Sequence, residues 1–269
     1  MTKIKGSNVL ITGGGSGIGR IMGRIVLEKG AKSLTIWDIN EENMANTKAE
    51  LNSKGQVYTQ KVDVSNPTAV EEAASTAKNN CGCIDIVINC AGIVANNKTF
   101  DEQGVADITR TMNINATAPM LVARAFLPEM IKKNFGHVCN IASAAGMISN
   151  PRMSVYAASK WAVVGWSDSV RLELKQMKSK VHFSTLAPYY INTGMFDGVQ
   201  SRFFPILKPE PTAKKIIRAI EKNKNFKGIP FGFNFIRLSQ GLLPTFLFDF
   251  IFGEVVGIFH GMDNFKGRK

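Results

Sequence analysis

From Asn8 to Ala187 short β-branched runs alternate with longer stretches of helical period, and no other feature of the chain constrains its fold as strongly. A buried strand followed by an amphipathic helix is the repeating unit of a parallel sheet with crossover helices on both faces. The pattern predicts strands near Asn8–Thr12, Leu34–Trp37, Val57–Val62, Ile84–Asn89, His137–Ile141, Val181–Ala187 and Ile229–Phe233. Helices are expected around Gly17–Lys29, Glu41–Lys54, Pro67–Asn79, Gly104–Lys133, Val155–Met177 and Thr212–Asn223. No linker, repeat or low-complexity tract intervenes. The expected class is therefore α/β, one doubly wound parallel sheet of about seven strands whose ligand lies at the strands' carboxyl ends.

Composition excludes several other classes. With 269 residues, 45% of them hydrophobic, the chain can bury a sizeable core and is neither disordered nor fibrous. Cys81, Cys83, Cys90 and Cys139 are too few and too unevenly spaced for a disulfide framework, and Cys81 and Cys83 have no second pair to complete a metal site. No metal is expected, and a reduced, cytoplasmic setting is. The first apolar run is shorter than a signal-peptide core, and Pro244, Asp249 and Glu254 interrupt the apolar stretch from Leu242 to Phe259, so neither directs secretion nor spans a bilayer.

The first strand runs directly into Gly13-Gly14-Gly15-Ser16-Gly17-Ile18-Gly19, within which a helix opens. Glycines there allow a tight turn and a close approach of backbone to a pyrophosphate, whose charge the helix N-terminus stabilises. Asp38 ends the second strand, where a carboxylate can accept from both hydroxyls of an adenosine ribose and would repel a 2′-phosphate. Ser16 is neutral where a basic side chain could have met that phosphate. Both features favour NAD over NADP. Asp38 could instead cap the helix that begins near Glu41.

After the fifth strand comes Asn140-Ile141-Ala142-Ser143, and thirteen residues past Ser143 stands Tyr156, followed by Ala157-Ala158-Ser159-Lys160. Tyr156 and Lys160 share a helix face. A free Tyr titrates near 10, so acid/base work near neutrality requires a shift of roughly 3 units, or about 4 kcal/mol in favour of the phenolate. Lys160 is placed to supply it as a nearby cation, helped by an oxidised nicotinamide ring. Ser143 could hold the substrate oxygen. Taken alone, a Tyr and a Lys four apart more often mark a helix surface.

Taken together, the glycine turn, Asn89-Cys90-Ala91-Gly92, Asn115, Ser143, Tyr156 and Lys160 resemble the short-chain dehydrogenase/reductase family in order and spacing over about residues 6–195. The resemblance implies a single-domain Rossmann fold that transfers hydride between NAD(P) and an alcohol or carbonyl. By the same resemblance Ser143, Tyr156, Lys160 and Asn115 are the catalytic set, with Asn115 holding a water in a proton relay, although it could equally be a structural helix residue. Cofactor contacts carried over are Gly13, Gly15, Ser16, Gly17, Ile18, Gly19, Asp38 and Ile39, then Asp63 and Val64 beside the adenine. They continue with Asn89, Ala91 and Gly92 lining the groove, Lys160 at the nicotinamide ribose, Tyr156, Pro188, Ile191, and Thr193 at the carboxamide. The chain departs from the family pattern at Tyr189 and Tyr190, where Gly usually follows Pro188, and at Cys90, where Ala is commoner.

A substrate loop is expected at residues 189–211, and its Met195, Phe196, Phe203, Phe204 and Ile206 suggest a lipophilic alcohol or ketone of steroid, retinoid or long-chain type. The chain looks most like the hydroxysteroid and retinol dehydrogenase branch, whose members also suggest a homodimer or homotetramer. Residues 1–225 would form the catalytic domain and 226–269 an extension.

The net charge of +12 is concentrated late: residues 202–269 carry 12 of the Lys and Arg against 5 Asp and Glu, with 12 of the 17 Phe. In that extension Phe246, Leu247, Phe250 and Ile251 fall at helical spacing between Lys224, Lys227, Arg237, Lys266, Arg268 and Lys269. Such a stripe either packs on the protein's own core or a partner subunit, or lies against a membrane surface. No recognition motif accompanies the charge, so nucleic acid is not expected as a partner. A Ser-His-Asp hydrolase is excluded by the lack of a G-x-S-x-G elbow and by the places of His137, His182 and His260 in two expected strands and the tail. A catalytically idle dinucleotide-binding sensor or scaffold is disfavoured by the presence of Ser143, Tyr156 and Lys160.

Overall fold

A computed structural model describes residues 1–267. Its sheet comprises β1 (Asn8–Thr12), β2 (Ser33–Asp38), β3 (Gln56–Lys61), β4 (Ile86–Asn89), β5 (His137–Ile141), β6 (His182–Pro188) and β7 (Phe226–Ile229). All pairings are parallel, in the order β3-β2-β1-β4-β5-β6-β7. The order reverses between β1 and β4, which opens a crevice there at the carboxyl ends of the strands.

Strand side chains alternate between two buried layers, as a period of two requires. Val9 and Ile11 of β1, with Ile86 and Ile88 of β4, pack under α1 (Gly17–Glu28) and α7 (Pro209–Glu221). Leu10, Val87 and Val138 face the other way, onto α3 (Pro67–Cys81), α5 (Ala118–Lys133) and α6 (Ser154–Gln176). At the amino ends of the strands His137 is fully buried, with Thr2 Oγ1 at 2.8 Å from Nδ1 and Ser184 Oγ at 2.8 Å from Nε2.

Three expectations are corrected. The last strand is Phe226–Ile229 rather than Ile229–Phe233, because Pro230 has no N–H for the ladder and the chain turns at once into a 3₁₀ segment, Phe231–Phe235. The single helix expected over Gly104–Lys133 is α4 (Val105–Met112), a π-helical turn at Asn113–Thr117, and α5. Pro119 cannot donate to the carbonyl four residues back, that of Asn115, so the regular ladder fails at that turn. Finally, α2 (Glu41–Leu51) gives way to a 3₁₀ turn over the last three residues of its expected span.

The extension forms α8 (Ile236–Leu242), α9 (Thr245–Asp249), a π-helical turn and a 3₁₀ turn at Ile258–His260. The stripe anticipated at Phe246 and Phe250 does not pack inward: the two are 76% and 59% exposed. Phe233, Ile236, Phe248 and Ile258 are the buried ones, set against Ala144, Met147, Ile148 and Ala187 of the main domain, with Phe252 stacked on Phe248 at 4.4 Å. Arg268 and Lys269, which were expected to flank the stripe, lie outside the described residues.

Candidate active site

The glycine turn is shaped by what a side chain would strike. A Cβ on Gly13, whose φ is +67°, would stand 2.8 Å from the Ala91 Cα, and one on Gly19 would strike the Gly13 carbonyl. The turn therefore lies flush against the residues that follow β4, and Gly17, Ile18 and Gly19 at the start of α1 line a cavity.

Asp38 fixes the turn from the other side: its Oδ2 accepts from the Gly15 N–H at 2.9 Å and its Oδ1 from the Asn40 N–H at 3.1 Å. The helix cap is Asn40, whose Oδ1 accepts from the Asn43 N–H, so the capping role is filled without Asp38. Thr47 locks the turn from below by donating to the Gly15 carbonyl at 2.9 Å.

A cavity of about 300 Å³ extends from this turn across the crevice. Of the residues singled out in the sequence, Gly13, Ser16, Gly17, Ile18, Gly19, Asp38, Ile39, Asp63 and Val64 line one end. Ala91, Gly92, Ser143, Tyr156, Lys160, Pro188, Ile191 and Thr193 line the rest. Three of the expected site residues stand behind the wall. Gly15 is occupied with Asp38 and Thr47. Asn89 is buried beneath the floor, where its Nδ2 donates to Asn140 Oδ1 at 2.8 Å and to the Pro119 carbonyl at 3.3 Å, so it supports the groove rather than lining it.

Asn115, turned inward by the π-helical turn, closes a two-way bond with Ile93, accepting from its N–H at 2.8 Å and donating to its carbonyl at 2.9 Å. It also donates to Ser159 Oγ at 3.2 Å, and thus ties the chain after β4 to α6. A Cβ on Gly92 would lie 3.2 Å from Asn115 Oδ1 and 3.5 Å from Lys160 Nζ, so this glycine lets the loop pass close to both.

At the other end of the cavity the second turn of α6 seats itself against the turn at Ala144–Gly146, close enough that a Cβ on Gly146 would stand 2.7 Å from the Lys160 carbonyl. Ser143 starts that turn and accepts from the Ala145 N–H at 3.2 Å. Lys160 reaches back to donate to the Ile141 carbonyl at 3.1 Å, with its Nζ 5.7 Å from the centroid of the Tyr156 ring.

Burial dominates the electrostatics. It pushes the Tyr156 phenol up to about 12, with the Ser143 hydroxyl opposing, and pulls the Lys160 ammonium down to about 8. The Lys160 ammonium is anchored on the Ile141 main-chain carbonyl and has lost solvation of its own. Cys90 enters the wall as a neutral small group, since burial pushes its thiol up to about 12.

The remaining wall is aromatic, and only part of it was anticipated. Phe196 meets the Tyr156 ring edge-on at 5.9 Å and the Tyr190 ring at 5.0 Å, and Tyr189 lies 4.5 Å from Tyr190. The departure at Tyr189 and Tyr190 thus builds one side of the site, with the Tyr190 hydroxyl held at 2.7 Å by the Asn150 amide and Tyr189 bonded to Ser201 at 3.0 Å. Asn150 and the wall residues Arg110 and Ile114 had no motif to reveal them.

Residues 7–202 match the family model described as short chain dehydrogenase. The chain is a short-chain dehydrogenase/reductase. Its curated relatives fall on the hydroxysteroid and retinol dehydrogenase side of that family. Estradiol 17-beta-dehydrogenase 11 of Macaca fascicularis is 34% identical over 243 residues, covering 90% of this chain and 80% of the relative. Epidermal retinol dehydrogenase 2 of Mus musculus is 33% identical over 272 residues, covering 99% and 87%. Among solved structures, a short-chain dehydrogenase/reductase from Burkholderia phymatum in complex with NAD superposes with a TM-score of 0.82 at 26% identity, covering 90% of this chain and 95% of that one. As a short-chain dehydrogenase/reductase, this protein brings Ser143, Tyr156 and Lys160 to the same cavity as the glycine turn.

Proposed function

We propose that this protein oxidises a lipophilic alcohol, or reduces the corresponding carbonyl, with NAD rather than NADP. The observation that carries the reading is that Tyr156, Ser143 and Lys160 meet the glycine turn in one cavity whose outer wall is Tyr189, Met195 and Phe196. Gly13 and Gly19 let the turn close against Ala91 and onto itself, and Gly13, Ser16, Gly17, Ile18 and Gly19 line the cavity where a pyrophosphate would lie against the start of α1. The Asp38 carboxylate is positioned to accept from the ribose hydroxyls, and neighbouring Ser16 and Ile39 carry no charge to receive a 2′-phosphate.

The bound dinucleotide supplies the hydride acceptor in oxidation, and its oxidised ring brings a positive charge into the cavity. Ser143 Oγ holds the substrate oxygen while Tyr156 takes the hydroxyl proton as the carbinol C–H leaves with its electron pair. Lys160, at 5.7 Å from the Tyr156 ring centroid, stabilises the phenolate, and its anchor on the Ile141 carbonyl keeps it at the cavity wall. Phe196 and Tyr190 pack around the Tyr156 ring and exclude water from it, and Phe196 with Met195 offers a substrate apolar surface there. Asn115 positions the loop after β4 against α6 and so sets the distance between cofactor groove and catalytic helix.

The same reading makes the protein a homodimer or homotetramer joined through α4, α5 and α6, where Trp161 and Leu172 reach solvent. A panel of steroid, retinoid and aliphatic alcohols, each offered with NAD and with NADP and followed by nicotinamide absorbance, tests the reading. Turnover of the lipophilic members with NAD is expected, and turnover of short polar alcohols alone, or with NADP alone, overturns it.

A further inference from the structure

The surface of the protein carries one large apolar ridge with a basic groove at its foot. The ridge begins at Phe231 and Phe235, whose rings meet edge-on at 5.4 Å, and continues along α8 with Leu238 and Leu242. Phe235, Leu238 and Leu242 are spaced to share one side of that helix, and their exposure rises from 51% to 71% along it. Beyond the turn at Pro244, Phe246 and Phe250 are exposed as well. The buried residues of the same segment, Phe233, Ile236 and Phe248, already anchor it to the domain, so the outward residues are surplus to folding.

The groove is lined by Lys215, Arg218, Lys222, Lys224 and Lys227, and Phe231 forms its rim. Lys215 and Arg218 fall on one side of α7, Lys222 follows at its C-cap, and the other two lie in the loop and strand beyond. None of the five takes part in an ion pair among the described residues, although Lys29, Lys214 and Arg237 nearby in sequence or space do. The crowding is felt at Lys227, which is held below the usual lysine range first by burial and then by Lys215, Arg218, Lys224 and Lys222. An unneutralised cluster of five cations bordering an aromatic ridge is complementary to one kind of surface, in which negative headgroups lie beside accessible hydrocarbon.

We propose that this face, the Phe231–Leu242 ridge together with the Lys215–Lys227 groove, docks the protein on an anionic lipid bilayer. The cations bind the headgroups and the Phe and Leu side chains enter the interface. Docking of this kind does not depend on the dehydrogenase chemistry, and Tyr156→Phe is expected to bind vesicles as the parent does.

The full chain is sedimented with vesicles of phosphatidylcholine alone and with vesicles in which roughly a third is phosphatidylserine, across a series of salt concentrations. Binding to the anionic vesicles that fades with salt is expected, with little binding to the neutral ones. Because each cation near an anionic surface contributes about a fivefold change, Lys215→Gln with Lys222→Gln should weaken binding roughly twenty-fivefold. Phe231→Ser with Leu242→Ser should weaken binding at every salt concentration. Both pairs are exposed, and thermal melting matching the parent's establishes that the variants fold. Equal binding to neutral and anionic vesicles, or full binding by either double variant, overturns the proposal. So does a parent that fails to bind, or one whose self-association is lost in the Phe231→Ser, Leu242→Ser variant, which would assign the ridge to a second copy of the chain.

Discussion

The Asp38 carboxylate accepts from the Gly15 N–H at 2.9 Å, so the residue proposed to recognise the adenosine ribose also holds the pyrophosphate turn in shape. Selection of the cofactor and construction of its cradle are thereby joined in one side chain. Asp38→Ala is expected to raise the KM for NAD by about tenfold or more, the loss of a charged hydrogen bond, and to erase discrimination against NADP. Steady-state kinetics with both cofactors check this. An unchanged NAD to NADP ratio would remove Asp38 from ribose recognition.

Tyr156 is the only proton-transferring group proposed within the site, and its loss should fall on the chemical step. Tyr156→Phe is expected to lower kcat by on the order of 10³-fold, the scale of general acid–base catalysis, while NADH binding measured by fluorescence stays nearly as it was. Substantial residual turnover would contradict the assignment.

Phe196 covers the Tyr156 ring and faces the proposed substrate space. Phe196→Ala is expected to raise the KM for a lipophilic alcohol by about tenfold or more, in line with an aromatic side chain's burial, and to leave a small alcohol almost unaffected. Comparing the two substrate classes on one preparation separates loss of apolar contact from damage to the catalytic groups.

His137 links stability to pH. Burial, aided by neighbouring His182, pulls its folded-state value down to about 3 from an ordinary 6.5. The unfolded chain therefore binds the extra proton first: stability is complete above about 6.5 and declines as pH falls toward 3. The contribution lost by pH 5 is about 2 kcal/mol for this one group. Denaturant unfolding at pH 7.5 and pH 5 should show the decline, and His137→Gln should flatten that part of it.

The gathering of Ser143, Tyr156 and Lys160 at one cavity was readable because their spacings suit a strand, a turn and a helix in succession. Ser143 ends a strand's extension, and Tyr156 and Lys160 recur at the helical period. The parallel sheet was equally visible in its β-branched runs, and its last strand slipped by three residues only because Pro230 stops the ladder from within an apolar stretch. Less was legible where residues cooperate across long separations. Asn150 and Tyr190 share a hydrogen bond across forty positions, and although Tyr190 departs from the family pattern nothing local marks Asn150 as its partner. Which side of the extension faces the domain was left open by the sequence, since Phe246 and Phe248 are equally apolar and the Ala144–Ile148 surface takes up Phe248.

The end of the extension bears on the substrate loop through the main chain. Gly261 accepts from the Gln200 N–H at 3.0 Å, the Lys266 N–H donates to the Asp197 carbonyl at 2.8 Å, and Met262 offers its carbonyl to Asn97 at 2.8 Å. Gly198, in a left-handed conformation at φ +83°, leaves room for the Asn264 carbonyl to come against it. Met262 adds a side chain to this main-chain fastening, buried in one cluster with Tyr156, Tyr190 and Val199 and with Phe265 packed against it. A chain shortened before residue 261 would therefore lose peptide and apolar contacts together, and the loop beside Tyr156 would be released at once.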